Sequence, residues 1–236
     1  MKEKTREEPK ILAAAERQMQ AWARSTEIAD REHRMHAAHG PKTSKRTYLT
    51  LSRQTGAGAH AVATIVSEKL GWKVYDKNLL DLIAERFDVP RMMLDLVDET
   101  QPSWVYDVLG TWMDRAVVPH DKYVRYLRTV VRAVARDGEA IFIGRGAQYV
   151  LPHELGLRVH LAAPLKYRVQ RLKEVEGISE SEARRMITEK DRGRREFVER
   201  FYHRSLDDAS QYDLVLNTER LGIEGAAEHV LSVMAD

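Results

Sequence analysis

The segment Ser52-Arg-Gln-Thr-Gly-Ala-Gly-Ala-His-Ala61 holds the residue types and spacing best suited to chemistry. A β-rich run, Thr47–Ser52 (TYLTLS), leads into it. A helical pattern with Val62, Ile65, Val66 and Leu70 leads out. Glycines between a strand and a helix let backbone N–H groups approach an anion, and the helix dipole favours negative charge there. Arg53, Thr55, Gly56, Ala57, Gly58, Ala59, His60 and Ala61 are therefore the candidate phosphate-binding residues. The usual pattern for such a loop is G-x-x-x-x-G-K-[ST]. With its second glycine on Gly58, Arg53 takes the place of the first glycine, Ala59 that of the lysine and His60 that of the Ser or Thr. The side chains that ordinarily reach the β/γ-phosphates and Mg²⁺ are both missing. Taken alone, the segment reads equally well as a plain strand-turn-helix. Arg53 or His60 could supply the missing positive charge.

The elements around this segment alternate between strand and helix patterns. Trp72–Tyr75 reads as a second short strand and Lys77–Phe87 as a helix ending before Val89-Pro90. Residues 91–120 are ambiguous, and the aromatic stretch Trp104–Trp112 reads more readily as core than as a cover for a base. Lys122–Arg136 is amphipathic, with Val124, Leu127, Val130, Val131 and Val134 on one face and Lys122, Arg125, Arg128 and Arg132 on a face read as solvated. Ala140–Ile143 is a buried strand that runs into Gly144-Arg145-Gly146, and Leu157–Leu161 is another. Pro164 stands where the first residue of a helix would, and that helix closes at Gly177. Ser179 and Glu182 form a capping-box pattern opening a basic helix that runs to His203. Asp213–Leu216 is the last strand and Ile223–Met234 the last helix. Such alternation predicts an α/β fold with a mostly parallel sheet covered on both faces.

Residues 1–46 differ in kind. Ile11, Leu12, Ala15, Met19, Trp22 and Ala23 fall on one helical face, and 33–46 reads as a linker. This helical arm needs a partner surface for its apolar stripe, in this chain or in another copy, so it is a candidate homo-oligomer contact. The chain of 236 residues is 43% hydrophobic, enough for a real core, and 31% charged. No apolar run approaches the roughly 18 residues of a membrane helix, and the charged start shows no secretory pattern. The absence of cysteine excludes disulfides, zinc-thiolate sites and thiol nucleophiles, and a cytoplasmic location is expected. A net charge of +2 gives no sign of a nucleic-acid binder.

Several motifs in order carry a resemblance. Thr50-Leu-Ser-Arg-Gln-Thr-Gly-Ala-Gly58, Lys69-Leu-Gly-Trp-Lys-Val-Tyr-Asp-Lys-Asn-Leu-Leu80, Ile143-Gly-Arg-Gly-Ala-Gln-Tyr-Val-Leu151, Lys190-Asp-Arg-Gly-Arg-Arg195 and Tyr212–Glu224 (YDLVLNTERLGIE) resemble the cytidylate kinase-like family over about residues 47–236. That resemblance implies a three-layer P-loop NTPase fold, with a mostly parallel five-stranded sheet and a helical lid near 178–204. The N-terminal helical arm lies outside it. It also implies phosphoryl transfer from ATP, with Mg²⁺, to CMP or dCMP, a nucleotide substrate.

Phosphoryl transfer asks mainly for positioning and positive charge. Arg145, beyond a buried strand and between glycines, is the candidate for the acceptor phosphate. The family pattern G-R-D has Gly146 in place of the aspartate, which removes any contact that acid would make. Asp76 is expected to contact the acceptor or a Mg²⁺-bound water, or to cap the next helix. In the lid, Arg192 and Arg195 are the expected catalytic cations, with Arg194, Arg184 and Arg185 nearby and Arg168 and Arg171 as second-line candidates. The alternative is a solvated basic face, since Glu180, Glu182, Glu189, Asp191, Glu196 and Glu199 lie among them.

Overall fold

The computed structural model describes residues 46–88 and 120–235. The arm expected over 1–46, apart from Arg46, and the Trp104–Trp112 stretch lie outside the described residues. Strand β1 (Tyr48–Arg53) is buried along its whole length. It is the middle of a five-stranded sheet, order β2-β3-β1-β4-β5, formed with β2 (Lys73–Tyr75), β3 (Ala140–Ile143), β4 (Gly156–Ala162) and β5 (Leu214–Asn217). Every pairing is parallel. A parallel sheet needs helices on both faces, which is why its strands are near-continuous apolar runs.

Side-chain alternation along β1 divides the core. Leu49 and Leu51 face a layer made by α1 (Ala59–Leu70) and α7 (Thr218–Ala235) through Val62, Ala63, Val66, Ala226, Ala227 and Val230. Tyr48, with Phe142 of β3, faces the opposite layer. There α2 (Asn78–Phe87), α3 (His120–Asp137), α4 (Ala147–Val150) and the C-terminal half of α6 (Glu180–Tyr202) contribute Leu79, Ile83, Leu127, Val130, Val150, Phe197 and Val198. The three-layer α/β architecture expected from the sequence is therefore the one observed.

A small third cluster, Val169, Leu172, Ala183 and Ile187, joins α5 (Leu165–Glu176) to the N-terminal half of α6. Helix α6 is one continuous rod of 23 residues, so it ties this hairpin to the main core. Its start is fixed by the predicted capping box: Ser179 accepts from the Glu182 N–H, and the Glu182 carboxylate accepts from the Ser179 N–H.

Three local expectations change. Pro164 is the N-cap of α5, one position earlier than expected, because its ψ of 147° is extended and not helical. The short helix α4 had no periodic signal, since four residues are too few to show one. Helix α7 begins at Thr218 and breaks at Gly222, where φ is 72°, before the turns expected at 223–234.

Ser179→Ala should cost about 1 kcal/mol, the usual value of an N-cap hydroxyl. Because only a small cluster secures this end of α6, the loss should appear locally, as about five-fold faster amide exchange in its first turn. Unchanged exchange there would show that the hairpin packing alone fixes the helix start.

Candidate active site

In a parallel sheet the residues just beyond each strand gather at one edge. Arg53 closes β1, Asp76 comes directly after β2 and Arg145 lies just beyond β3. The three side chains meet there. Asp76 Oδ1 lies 3.8 Å from Arg53 Nη2 and 3.7 Å from Arg145 Nη2, and Asp76 Oδ2 lies 2.8 Å from His60 Nε2. Both arginines are buried, Arg145 at 1% exposure and Arg53 at 9%. The N-cap of α2 is Lys77 and no side chain caps it, so the Asp76 carboxylate is turned to the cations and not to the helix. Burial alone would raise the Asp76 pKa. The hydrogen bond from His60 and the charges of Arg53 and Arg145 outweigh it and bring the carboxyl down to about 2.

The Gly144-Arg145-Gly146 turn has three successive left-handed residues, with φ of 72°, 59° and 66°. A non-glycine residue there costs about 1 kcal/mol, which the burial and pairing of Arg145 offset. Gly146 is required by contact as well as by φ. A β-carbon on it would stand 2.4 Å from the Tyr202 ring of α6. Tyr202 thus occupies the space in which an aspartate at 146 would begin.

The glycine loop turns into α1 as the sequence suggests. Gly58 is the N-cap, with φ of 85°, and no side chain caps it or adds an acid to the first turn. The N–H groups of that turn are left to a ligand or to water. Ala57 and Ala59 are buried, Gly56, Gly58 and Ala61 half-buried, and His60 is exposed.

A second carboxylate binds the loop to the α5–α6 hairpin. Asp191 of α6 accepts from the Thr55 N–H at 2.8 Å and the Thr55 hydroxyl at 2.7 Å. It also accepts from Arg168 Nη1 of α5 at 2.8 Å and Arg194 Nη1 at 2.9 Å. Arg168 further donates to the Thr55 and Ala163 carbonyls. Burial would raise the Asp191 pKa, but the Thr55 hydrogen bonds and the Arg194 and Arg168 charges hold it below its ordinary value. Two clusters result beside the loop, each with two guanidiniums gathered on one carboxylate among the described residues.

Comparison with known proteins adds the family to this geometry. The model of the cytidylate kinase-like family matches residues 48–220. The chain belongs to that family. It is 37% identical over 182 residues to a cytidylate kinase of Methanopyrus kandleri, covering 73% of this chain and 84% of that one. It is 26% identical to a cytidylate kinase of Sulfolobus acidocaldarius, covering 79% and 93%. The crystal structure of an uncharacterized protein from Eubacterium ventriosum shares the fold, with a TM-score of 0.59 at 17% identity over 81% of this chain and 99% of that one.

Within this cytidylate kinase-like frame, the predicted residues fall into two groups. Arg53, Asp76, Arg145 and His60 come together, with Thr55, Gly56, Ala57, Gly58, Ala59 and Ala61 forming the adjoining loop and first turn. Arg192 and Arg195 stand apart: both are exposed, Arg192 facing Glu196 at 3.7 Å and Arg195 lining a cleft with Glu199 and His203. Arg184 pairs with Glu180 in solvent. The α6 arginine that reaches the loop is Arg194, 6% exposed. The basic face of α3 is not wholly solvated, since Arg128 donates to the Phe201 carbonyl and lies over the Tyr202 ring. Sequence reasoning did not single out Asp191. Its signal was present, because Ala183, Ile187, Asp191, Arg194 and Val198 fall on one buried face of α6.

Two outcomes test this geometry. The Asp76 pKa lies below the ordinary carboxylate value of 3.8, so its stabilisation is complete above about pH 4 and disappears as pH falls to about 2. Asp76→Asn should therefore lose on the order of 2 kcal/mol against urea at pH 7, and the gap to the parent should close towards pH 2. A gap that stays constant with pH would show that charge pairing is not its source. Gly146→Asp should destabilise by roughly 2–3 kcal/mol, and pairing it with Tyr202→Ala should recover part of the loss. No recovery would mean that Tyr202 is not the obstacle.

Proposed function

We propose that this chain transfers the γ-phosphoryl group of ATP to a pyrimidine nucleoside monophosphate of the CMP or dCMP type. The observation that carries the reading is the convergence of buried Arg53 and Arg145 at the edge of the sheet, beside a glycine loop that opens a helix. The named relatives, cytidylate kinases, support the acceptor class.

The loop N–H groups and the α1 dipole bind the ATP phosphates. Arg53 and Arg145 bind the acceptor phosphate, an anion whose oxygen attacks the γ-phosphorus. The bond to the ADP oxygen breaks, and the products are ADP and a nucleoside diphosphate. The attacking oxygen is already ionised, so no protein base is needed. Asp76 holds the two arginines together until the acceptor phosphate engages them. Helix α6 serves as the lid, with Arg194 and Arg168 as its cations at the loop. Arg192 and Arg195 would reach a triphosphate only after a rotation of that helix. The reaction belongs in the cytoplasm, where ATP and nucleoside monophosphates are found; among the described residues no helix is long and apolar enough to cross a membrane.

Mg²⁺ fits as a companion of the triphosphate. Among the described residues no group of three or more His, Asp or Glu could hold a metal unaided. Asp76 Oδ1 is buried and accepts no hydrogen bond from a described residue, but it faces the Arg53 and Arg145 guanidiniums, so it would take such a cation only once the acceptor phosphate had drawn those arginines to itself. Bound there, Mg²⁺ would neutralise charge on the transferring group.

One observation favours a second reading, a nucleotide-binding sensor or scaffold with impaired catalysis. Ala59, which stands in the place of the loop lysine, is buried and apolar. The two readings separate in one assay: ATP-dependent diphosphate formation from CMP, dCMP, UMP, AMP and GMP, with nucleotide binding in parallel. Turnover on CMP or dCMP is expected, falling about 100-fold or more in Arg145→Ala. Binding of ATP without turnover on any acceptor would replace the kinase with the sensor.

A further inference from the structure

The glycine loop of this chain lacks the lysine of the usual phosphate-loop pattern, and the cations within the loop are turned away to Asp76. Arg53 and His60 are both engaged with Asp76 on the acceptor side. The Ala59 methyl is packed in the apolar layer between the sheet, α1 and α7. A cation for the β- and γ-phosphates would then come from another element.

Half-buried Lys190 of α6 lies in the field of Arg194 and Arg53, and among the described residues helix α5 offers a cation in contact with the loop itself. Helix α5 presses directly on the loop: a β-carbon on Gly56 would stand 2.7 Å from the Arg168 carbonyl oxygen. A β-carbon on Gly58 would stand 3.3 Å from Nε and 3.4 Å from Cζ of Arg171. The Arg171 guanidinium therefore rests on the N-cap residue of α1, where the helix dipole and the free N–H groups already favour an anion. Ile223 Cδ1 crowds the same spot, at 2.3 Å from that β-carbon position, which reduces the solvent around the charge.

The two α5 arginines differ in what they hold. Arg168 is engaged through Nε and Nη1 by Ala163, Thr55 and Asp191. Arg171, half-buried, makes no hydrogen bond or ion pair with any described residue. A guanidinium that no described side chain holds is open to an anion, and phosphate is the anion its planar fork matches best. The Asp191 clamp fixes α5 against the loop and so fixes where Arg171 stands.

We propose that Arg171 supplies, from outside the loop, the cationic contact to the β- and γ-phosphates of ATP that a loop lysine would otherwise make. This rests on the phosphotransferase reading given above. Arg171 forms no bond to the substrate's phosphorus. It binds the polyphosphate and stabilises the charge that shifts to the ADP oxygen as the γ-phosphoryl group departs.

Calorimetric titration of the full chain and of Arg171→Ala and Arg171→Lys with ATP, ADP and AMP tests this. Arg171→Ala should weaken ATP and ADP by about ten-fold or more, leave AMP within about two-fold, and leave Tm unchanged, because Arg171 holds no other element in place. Arg171→Lys should recover part of the ATP affinity. The proposal is overturned if Arg171→Ala binds ATP within about two-fold of the parent, or if AMP weakens as much as ATP, which would place the arginine at the nucleoside. Failure of the parent chain to bind any nucleotide would remove the phosphotransferase reading as well. Diphosphate formation that is equally fast with and without Arg171 would remove this inference alone.

Discussion

Two positive side chains buried at the same place repel each other, and the carboxyl edge of this sheet brings such a pair together. Arg53 and Arg145 come from the ends of adjacent strands, so the register of β1 on β3 forces them close. Among the described residues the Asp76 carboxylate faces both and makes that tolerable. Removing one partner from a buried group of charges is costly, because the remaining charge is stranded. The same solution recurs at the hairpin, where Asp191 serves Arg168 and Arg194. In both places, among the described residues, one carboxylate gathers two guanidiniums. The edge is thus held together by carboxylates that draw arginines from separate strands and helices to one place, which suits a site that must fold before the proposed phosphorylated ligands reach it.

Much of this was legible in the sequence because it is local. The strand-loop-helix around Gly58, the capping box at Ser179 and the buried strand before Arg145 depend on neighbours within a few residues. Arg53, Asp76 and Arg145 could be placed because parallel topology sends the residue at the end of each strand to one edge. The hairpin side of the site was harder to read. Arg192, Arg194 and Arg195 are indistinguishable by type, and only the phase of α6 against Ala183 and Ile187 separates the one that is buried. Asp191 was hidden among acids that do face solvent. Gly146 could not be understood without Tyr202, which lies far along the chain and meets it only because α6 crosses the Gly144–Gly146 turn.

The altered glycine loop reflects a division of labour in phosphate binding. Backbone N–H groups and the helix dipole need only the turn and the first residues of α1, so they survive the loss of any particular side chain. The lysine of the usual pattern adds a mobile point charge. That charge need not belong to the loop if a neighbouring helix is held rigidly enough to present one. Here α5 is so held: its backbone touches Gly56, and Arg168 binds both the loop carbonyl at Thr55 and the α6 carboxylate. An arginine one turn further along α5 is then carried to Gly58 by the helix itself. The arrangement couples two properties that a loop lysine keeps separate. Triphosphate binding would depend on the docking of the α5–α6 hairpin, so whatever loosens the Asp191 clamp would weaken nucleotide binding at the same time, even though Asp191 is itself an anion and would repel the phosphates directly.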